Sequence, residues 1–507
     1  MKKIFAAIFI LSMLACSGSG TDSTIDKPDT PVNPEIPDEP VVDDTPLLCT
    51  DSPLVLELES VPEFGTSGTI RVFKASGEQV DFIDLADLST VTIREDGQMI
   101  PNSTVTEATA MNTFLNPIKF GTRYRTVHYT PLRIKGKTLE ITLHNSVLDF
   151  SSEYYVTVDE GVIKGHKGVA KGEWTFKTKA KPASKDELKV NPDGKSDFCT
   201  IQGALSYTST LGKSAAVIIS IANGTYNEMI FTRDKDNITL KGASRAGTIL
   251  SYANNESYEG GSGASSSTKP GSVVATSGGR GVMLVENCNN LRIENLTMIN
   301  SFGNLKGQAE VIYFNSGSNT HELTIENCEL HSLQDTFLCK GIVWVHNSLI
   351  AGHTDYIWGY PSVCLFEDCE IRSVGAGTGF ILQARVPSEK DKGFIFLNCN
   401  LTSGEGATTG AMYLARANDH SKEADGKKTF DNIVFVNCKM SSAIATKGWY
   451  NSPDPNPKPA TATAGWREYK STDASGNSIG THDSAFGKIL SDAEAENYLT
   501  REKILGK

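Results

Sequence analysis

From residue 188 onward, apolar and polar residues alternate in short runs that keep returning. Leu323–Leu330, Val343–Leu349, Leu365–Ile371, Phe394–Leu401 and Ile433–Met440 share one unit. Each has a short apolar alternation, then Asn or Asp, then Cys or Ser, then an apolar residue two further on. Arg292–Met298 is a weaker, earlier copy. The turn residues are Asn295, Asn327, Asn347, Asp368, Asn398 and Asn437, and steps of 20 and 21 residues separate three of them. The longer steps imply inserted loops. A period of two inside each unit, without a helical period, predicts a strand that returns to the same place once per coil. Stacked coils of this kind make a right-handed parallel β-helix over 188–507. Cys328, Cys369, Cys399 and Cys438 share one repeat position, which predicts a buried ladder of small thiols. Their spacing matches no zinc pattern.

Residues 48–178 have a different pattern. Leu54–Val61, Gly68–Lys74, Val80–Leu85, Thr90–Glu95, Thr138–Leu143 and Tyr154–Asp159 are short runs rich in β-branched and aromatic residues, several separated by Gly turns. They predict a β-sandwich. Tyr154–Val158 and Trp174–Thr178 resemble the last strands of a bacterial Ig-like domain. No cluster of His, Cys or paired acids stands out there, so this module is expected to be a spacer. Residues 179–187 are a polar linker.

The N-terminus is a processing signal. Lys2 and Lys3 precede an apolar core, Ile4 to Leu14, too short for a permanent span. Met13-Leu14-Ala15-Cys16 resembles a bacterial lipobox, which implies a lipidated Cys16, a membrane anchor and an envelope location on either face of the outer membrane. Residues 17–47 hold six prolines and eight acids against one Lys, the composition of an extended tether. The whole chain, 507 residues at a net charge of -12, has no basic surplus for nucleic acid.

Three segments put polar residues where the coil pattern calls for apolar ones: Lys306–Glu310, Leu333–Phe337 and His353–Gly359. Asp335 and Asp355 are 20 residues apart, one coil step. Adjacent coils lie about 4.8 Å apart, so the two carboxylates should meet. One pKa then rises and the other falls, leaving an acid and a base or nucleophile. Gln334 and Gln308 would supply neutral N–H donors suited to an oxyanion hole. Each residue also has a plain structural alternative. Buried amides satisfy backbone groups, Asp favours turns, and Arg416 could be an ordinary ion-pair partner. His353 is expected to be structural.

Over residues 188–470 the chain resembles the pectin methylesterase (pectinesterase) family. The carriers are Asp193–Gln202, Gly224-Thr225-Tyr226-Asn227-Glu228, Gln308-Ala309, Gln334-Asp335-Thr336, Asp355-Tyr356-Ile357-Trp358-Gly359 and Leu414-Ala415-Arg416, six motifs in the family's order. The resemblance implies that Asp355 attacks the methyl-ester carbonyl of a galacturonate unit. Asp335 would protonate the departing methanol and then activate water. Gln308 and Gln334 would hold the oxyanion, and Arg416 would keep Asp355 charged. Trp358 would line the sugar groove. Gln383, in Leu382-Gln383-Ala384-Arg385, would contact the uronate chain.

Two departures stand out. Gly307 replaces the family's His before Gln-Ala. Ala417-Asn418 replaces the Pro-Trp after the Arg, and Trp449 is expected to stand in for the lost aromatic platform. The implied partner is methyl-esterified homogalacturonan, handled by a monomer with no metal or cofactor. The alternatives are a β-helix lyase, a polygalacturonase, or a non-catalytic glycan-binding lipoprotein. The acidic net charge favours highly methylated substrate, because de-esterified pectin would be repelled.

Overall fold

The computed structural model describes residues 45–86, 91–93, 99–101, 115–259, 266–268, 279–417, 429–451, 459–479, 482 and 485–507. The expected signal with Cys16, the tether up to residue 44, and Asn418 lie outside the described residues.

Small β-sheets form the N-terminal part. One runs in the order Leu47–Leu48, Thr175–Thr178, Glu153–Val158, Thr69–Lys74, Gln79–Asp84. The other runs Leu54–Glu57, Thr138–Ile141, Leu132–Lys135. Their inward residues, among them Leu54, Ile70, Val72, Ile83, Leu139, Tyr154, Val156 and Phe176, share one apolar core. An antiparallel hairpin, Leu115–Phe120 with Arg123–His128, was not anticipated. Its polar run Arg123-Tyr124-Arg125-Thr126 breaks the alternation that marks a strand. Its Ile118, Phe120 and Val127 join the core of the C-terminal half instead.

That half is a parallel β-helix, as the repeat predicts. A 17-stranded sheet runs from Glu187–Val190 to Lys488–Ile489, and a nine-stranded sheet from Gly224–Tyr226 to Thr472–Asp473. Equivalent side chains stack. Phe366, Phe396 and Phe435 lie in register with ring centroids 4.8 and 4.4 Å apart and nearly parallel planes.

All six repeated Asn and Asp residues have positive φ, between 46° and 57°. Each turns the chain from one sheet towards the other in the left-handed region that Asn and Asp tolerate best after Gly. The following Cys or Ser then satisfies a carbonyl that the turn frees. Cys328, Cys369, Cys399 and Cys438 donate from Sγ to the carbonyl two residues back, at 3.3 to 3.5 Å, and Ser348 does the same at 2.8 Å. The thiols are buried and unbridged.

The helix Ile201–Thr208 belongs to the entry motif of the solenoid, where only β structure was expected. Its Thr200 cap accepts from the Gly203 N–H. Glu228 accepts from the Ile201 and Gln202 N–H groups at 2.8 and 2.9 Å, and Asp51 accepts from Cys199 and Thr200. The family-like Glu228 is thus a helix cap. Near the C-terminus, Leu490, Ala495, Tyr498 and Ile504 pack along the wall of the solenoid against Leu365, Ile395 and Val434.

Replacing Asn398, an exposed turn residue, separates backbone from side chain. Asn398→Ala should lose about 1 kcal/mol, because Ala resists positive φ, whereas Asn398→Gly should lose less than half of that. Urea unfolding midpoints measure both.

Candidate active site

Pairing register builds the site. Gln334 pairs with Thr354 and Phe337 with Ile357, so Asp335 and Asp355 occupy the same position on successive coils. The Asp335 N–H donates to the Thr354 carbonyl at 3.0 Å. On the preceding coil, Ala309 N–H donates to Gln334 O and Val311 N–H to Thr336 O. That register sets Glu310 beside Asp335. Three carboxylates therefore stand in one row: Glu310, Asp335, Asp355. Both aspartates have positive φ, 61° and 48°, and each is only 4% exposed.

Two arginines flank the row. Arg416 donates from Nε to Asp355 Oδ1 at 2.9 Å and from Nη2 to Oδ2, a bidentate clamp. Arg280 donates from Nε to both oxygens of the fully buried Glu310, at 2.9 and 2.8 Å. It also donates from Nη1 to Gln308 Oε1 at 2.6 Å and Glu256 Oε2 at 2.7 Å, and from Nη2 to Asp335 Oδ2 at 3.0 Å. Neither Glu310 nor Arg280 was given a role from the sequence, although Glu310 belongs to one of the three polar segments. Glu310 carried a signal, an acid in the apolar run Ala309–Phe314; Arg280, between two glycines, carried none.

The environments of the two aspartates differ. Burial pushes the Asp335 carboxyl well above the usual carboxylate range, the Glu310 and Asp355 charges push it further, and Arg280 and Arg416 pull against them. Burial also raises Asp355, but Arg416 opposes it through charge and hydrogen bonding. Burial raises Glu310 as well, against Arg280; of the two aspartates, Asp335 is shifted further and is the one that more readily keeps a proton.

Gln308 and Gln334 both lie beside this row. The Gln334 side chain has no hydrogen-bond partner among the described residues and is partly exposed. His353 is buried, bonded to Thr354 Oγ1 at 2.8 Å and the Ala376 carbonyl at 3.1 Å, which is a structural role.

Trp358 and Gln383 sit in register on adjacent coils, one residue beyond the pair Ile357 and Leu382, and Trp358 packs at the edge of the main apolar cluster. Trp358 is only 5% exposed; its ring has the Arg280 and Arg385 guanidinium carbons 5.8 and 5.3 Å from its centroid, and its indole N–H has no hydrogen-bond partner among the described residues. Gln383 Oε1 accepts from Arg385 at 3.1 Å. Trp449 does not reach the groove. It continues the inward ladder Ile357, Leu382, Ala415, is fully buried, and stacks on Trp466 at 5.2 Å. The expected sugar contact is therefore corrected: the outward neighbour is Tyr450. Tyr450 forms a half-buried cluster with Phe380 and Tyr413, centroids 5.0 to 6.0 Å apart, and Arg416 lies 5.1 Å above Phe380. This cluster adjoins Asp355 through Arg416.

Both departures have local causes. A Cβ on Gly307 would come within 2.7 Å of Asn255 Nδ2, so the buried Asn255 amide would have to shift to admit a side chain. The Ala417 N–H donates to the Tyr450 carbonyl at 2.9 Å, a bond that proline could not make.

Comparison with known proteins decides the family. The pectinesterase profile matches residues 187–507. The chain belongs to the pectinesterase family. Pectinesterase 31 of Arabidopsis thaliana is 30% identical over 267 residues, covering 52% of this chain and 76% of that protein. Probable pectinesterase 49 of the same plant is 29% identical over 280 residues, covering 53% and 67%. Among solved structures, pectin methylesterase PemA from Erwinia chrysanthemi superposes with a TM-score of 0.50 at 22% identity, covering 64% of this chain and 98% of that one. The chain is therefore a pectinesterase, a carboxylic ester hydrolase, with the parallel β-helix of that family.

Restoring the family's residue in this pectinesterase should harm it. Gly307→His collides with Asn255 and should cost about 1–3 kcal/mol, read as a lowered thermal midpoint.

Proposed function

We propose that this pectinesterase hydrolyses galacturonate methyl esters by nucleophilic catalysis, with Asp355 as nucleophile and Asp335 as general acid and base. The observation that carries the reading is the in-register pair of aspartates with unlike surroundings, Asp355 clamped by Arg416 and Asp335 buried between two like charges. An Asp355 oxygen attacks the ester carbonyl carbon. The resulting oxyanion accepts hydrogen bonds from the Gln308 and Gln334 amides. Collapse breaks the bond to the methoxy oxygen, which takes the Asp335 proton and leaves as methanol. Asp335, now a carboxylate, draws a proton from water as the water attacks the acyl carbon, and Asp355 departs as a carboxylate.

The substrate groove in this reading runs past Trp358 and Gln383 and over the Phe380–Tyr413–Tyr450 cluster. Cations line its middle. Arg385 bonds to the Tyr360 hydroxyl at 2.8 Å, and Lys340 Nζ lies 5.4 Å from the Tyr360 ring centroid. In this reading Arg385 and Lys340 would pair with ionised uronates beside the target ester, against the preference expected from composition. A related pectin methylesterase has been solved with a hexasaccharide, 21% identical with a TM-score of 0.50. The same reading keeps Cys16 as a lipid anchor to the bacterial envelope and the N-terminal sheets as an Ig-like spacer.

Methanol release from highly esterified pectin tests the chemistry. Asp355→Asn and Asp335→Asn should each abolish turnover, and Gln334→Ala should lower it about 100-fold; wild-type rates in both Asn variants would remove the assignment. Arg416→Gln tests the electrostatics. Arg416 favours the ionised form of Asp355, so its loss raises that pKa, and the acidic limb of the rate profile should move to higher pH. For Arg385→Gln, KM should rise more on partly de-esterified pectin than on fully esterified pectin.

A further inference from the structure

We infer that Arg280 is a positioning residue of this active site: it orients the Gln308 amide and governs how tightly Asp335 holds its proton. The inference rests on the proposed roles of Asp335 and Gln308 and goes beyond them, since Arg280 acts through those two residues.

The first argument is chemical. A guanidinium has five donors and no acceptor. Arg280 Nη1 at 2.6 Å therefore holds the oxygen of the Gln308 amide. The Gln308 nitrogen must then point away from Arg280. Without that cation the amide could turn over and offer an oxygen, rather than N–H groups, to a developing oxyanion. A single planar group thus joins Gln308, Glu310, Glu256 and Asp335. Lysine, with a compact ammonium, could not satisfy the same four acceptors in that fork.

The second argument is electrostatic. Asp335 faces Glu310 on the preceding coil and Asp355 on the following one, with Arg280 and Arg416 as the opposing cations and Glu256 on the far side of Arg280. Arg280 is the cation in direct contact with Asp335. Glu310, held by two hydrogen bonds to the same guanidinium, offsets part of its charge. The pair leaves Asp335 able to bind a proton without being locked into either state.

The third argument is mechanical. The backbone on both sides of Arg280 is fixed from behind. Arg125, fully buried in the N-terminal hairpin, donates to the carbonyls of Ile230 at 2.9 Å, Gly279 at 3.1 Å, Val282 at 3.3 Å and Gly281. Asn254 Nδ2 donates to Gly279 O and Gly281 O at 3.2 and 3.3 Å. Gly279, with φ 64°, allows the bend that aims Arg280 at the acid row. A hairpin contributed by the N-terminal part thus reaches Asp335 through one bound loop.

The test uses the full chain and methanol release, with folding checked by thermal midpoint. In Arg280→Gln the cation is lost, Asp335 should hold its proton more tightly, and the alkaline limb of kcat should move to higher pH while kcat falls about 100-fold and KM stays within about threefold. A purely structural Arg280 would lower the midpoint and leave the limb in place. Should Arg280→Gln not fold, Arg280→Lys keeps the charge, and a double-mutant cycle with Gln308→Ala reads the amide directly. If Arg280 acts by orienting Gln308, the double variant should be little slower than either single one. Independent, multiplying losses, or an unmoved limb in folded Arg280→Gln, would overturn the inference. Failure of Asp335→Asn or Asp355→Asn to abolish turnover is a different result, and it would overturn the reaction assignment instead.

Discussion

Coil register is the constraint on which the rest depends. Six coils turn from one sheet to the next at a repeated Asn or Asp held at positive φ. Because side chains alternate along a strand, a slip of one residue would exchange inside for outside. Trp449 and Tyr450 show how sharp the distinction is. Neighbours in sequence, they end on opposite sides of the wall, one stacked on Trp466 in the core and the other beside Phe380 and Tyr413. The same register that stacks Phe366, Phe396 and Phe435 stacks Glu310, Asp335 and Asp355. The ordered core and the crowded acids are two outcomes of a single pairing rule.

What could be read from the amino-acid sequence follows from that rule. The turn positions, the thiol ladder and the pairing of Asp335 with Asp355 depend on spacing along the chain, and spacing is visible in a sequence. The buried charges are less visible. Arg125 and Arg280 sit where their own neighbours give no reason for a cation; their partners come from coils and loops far away in sequence. The hairpin was missed for the same reason, since Arg125 interrupts the alternation only because it is buried against carbonyls. Trp449 was misjudged because a Gly-Trp motif identifies a residue but not the face it occupies. The two departures from the family pattern gain a local context only with neighbours in view: the Asn255 amide lies against position 307, and the Tyr450 carbonyl uses the N–H that proline lacks.

Placing three acids and two arginines in one desolvated row is costly. Unit charges about 4 Å apart interact by about 4 kcal/mol at an effective dielectric near 20, so the arrangement persists only if attractions and repulsions nearly cancel. The cancellation is uneven, and the unevenness separates the roles. Asp355 has an arginine largely to itself, gripped at both oxygens. Asp335 has one corner of an arginine shared among four acceptors. Identical side chains at equivalent points of successive coils are thereby given different proton affinities by what stands at the two ends of the row. Repetition alone would make two equivalent acids; the flanking arginines, one from the loop before Met283–Glu286 and one ending Met412–Arg416, break that equivalence. The proposed mechanism uses this asymmetry, because attack by Asp355 would require a carboxylate and departure of methanol a carboxylic acid in the same cycle.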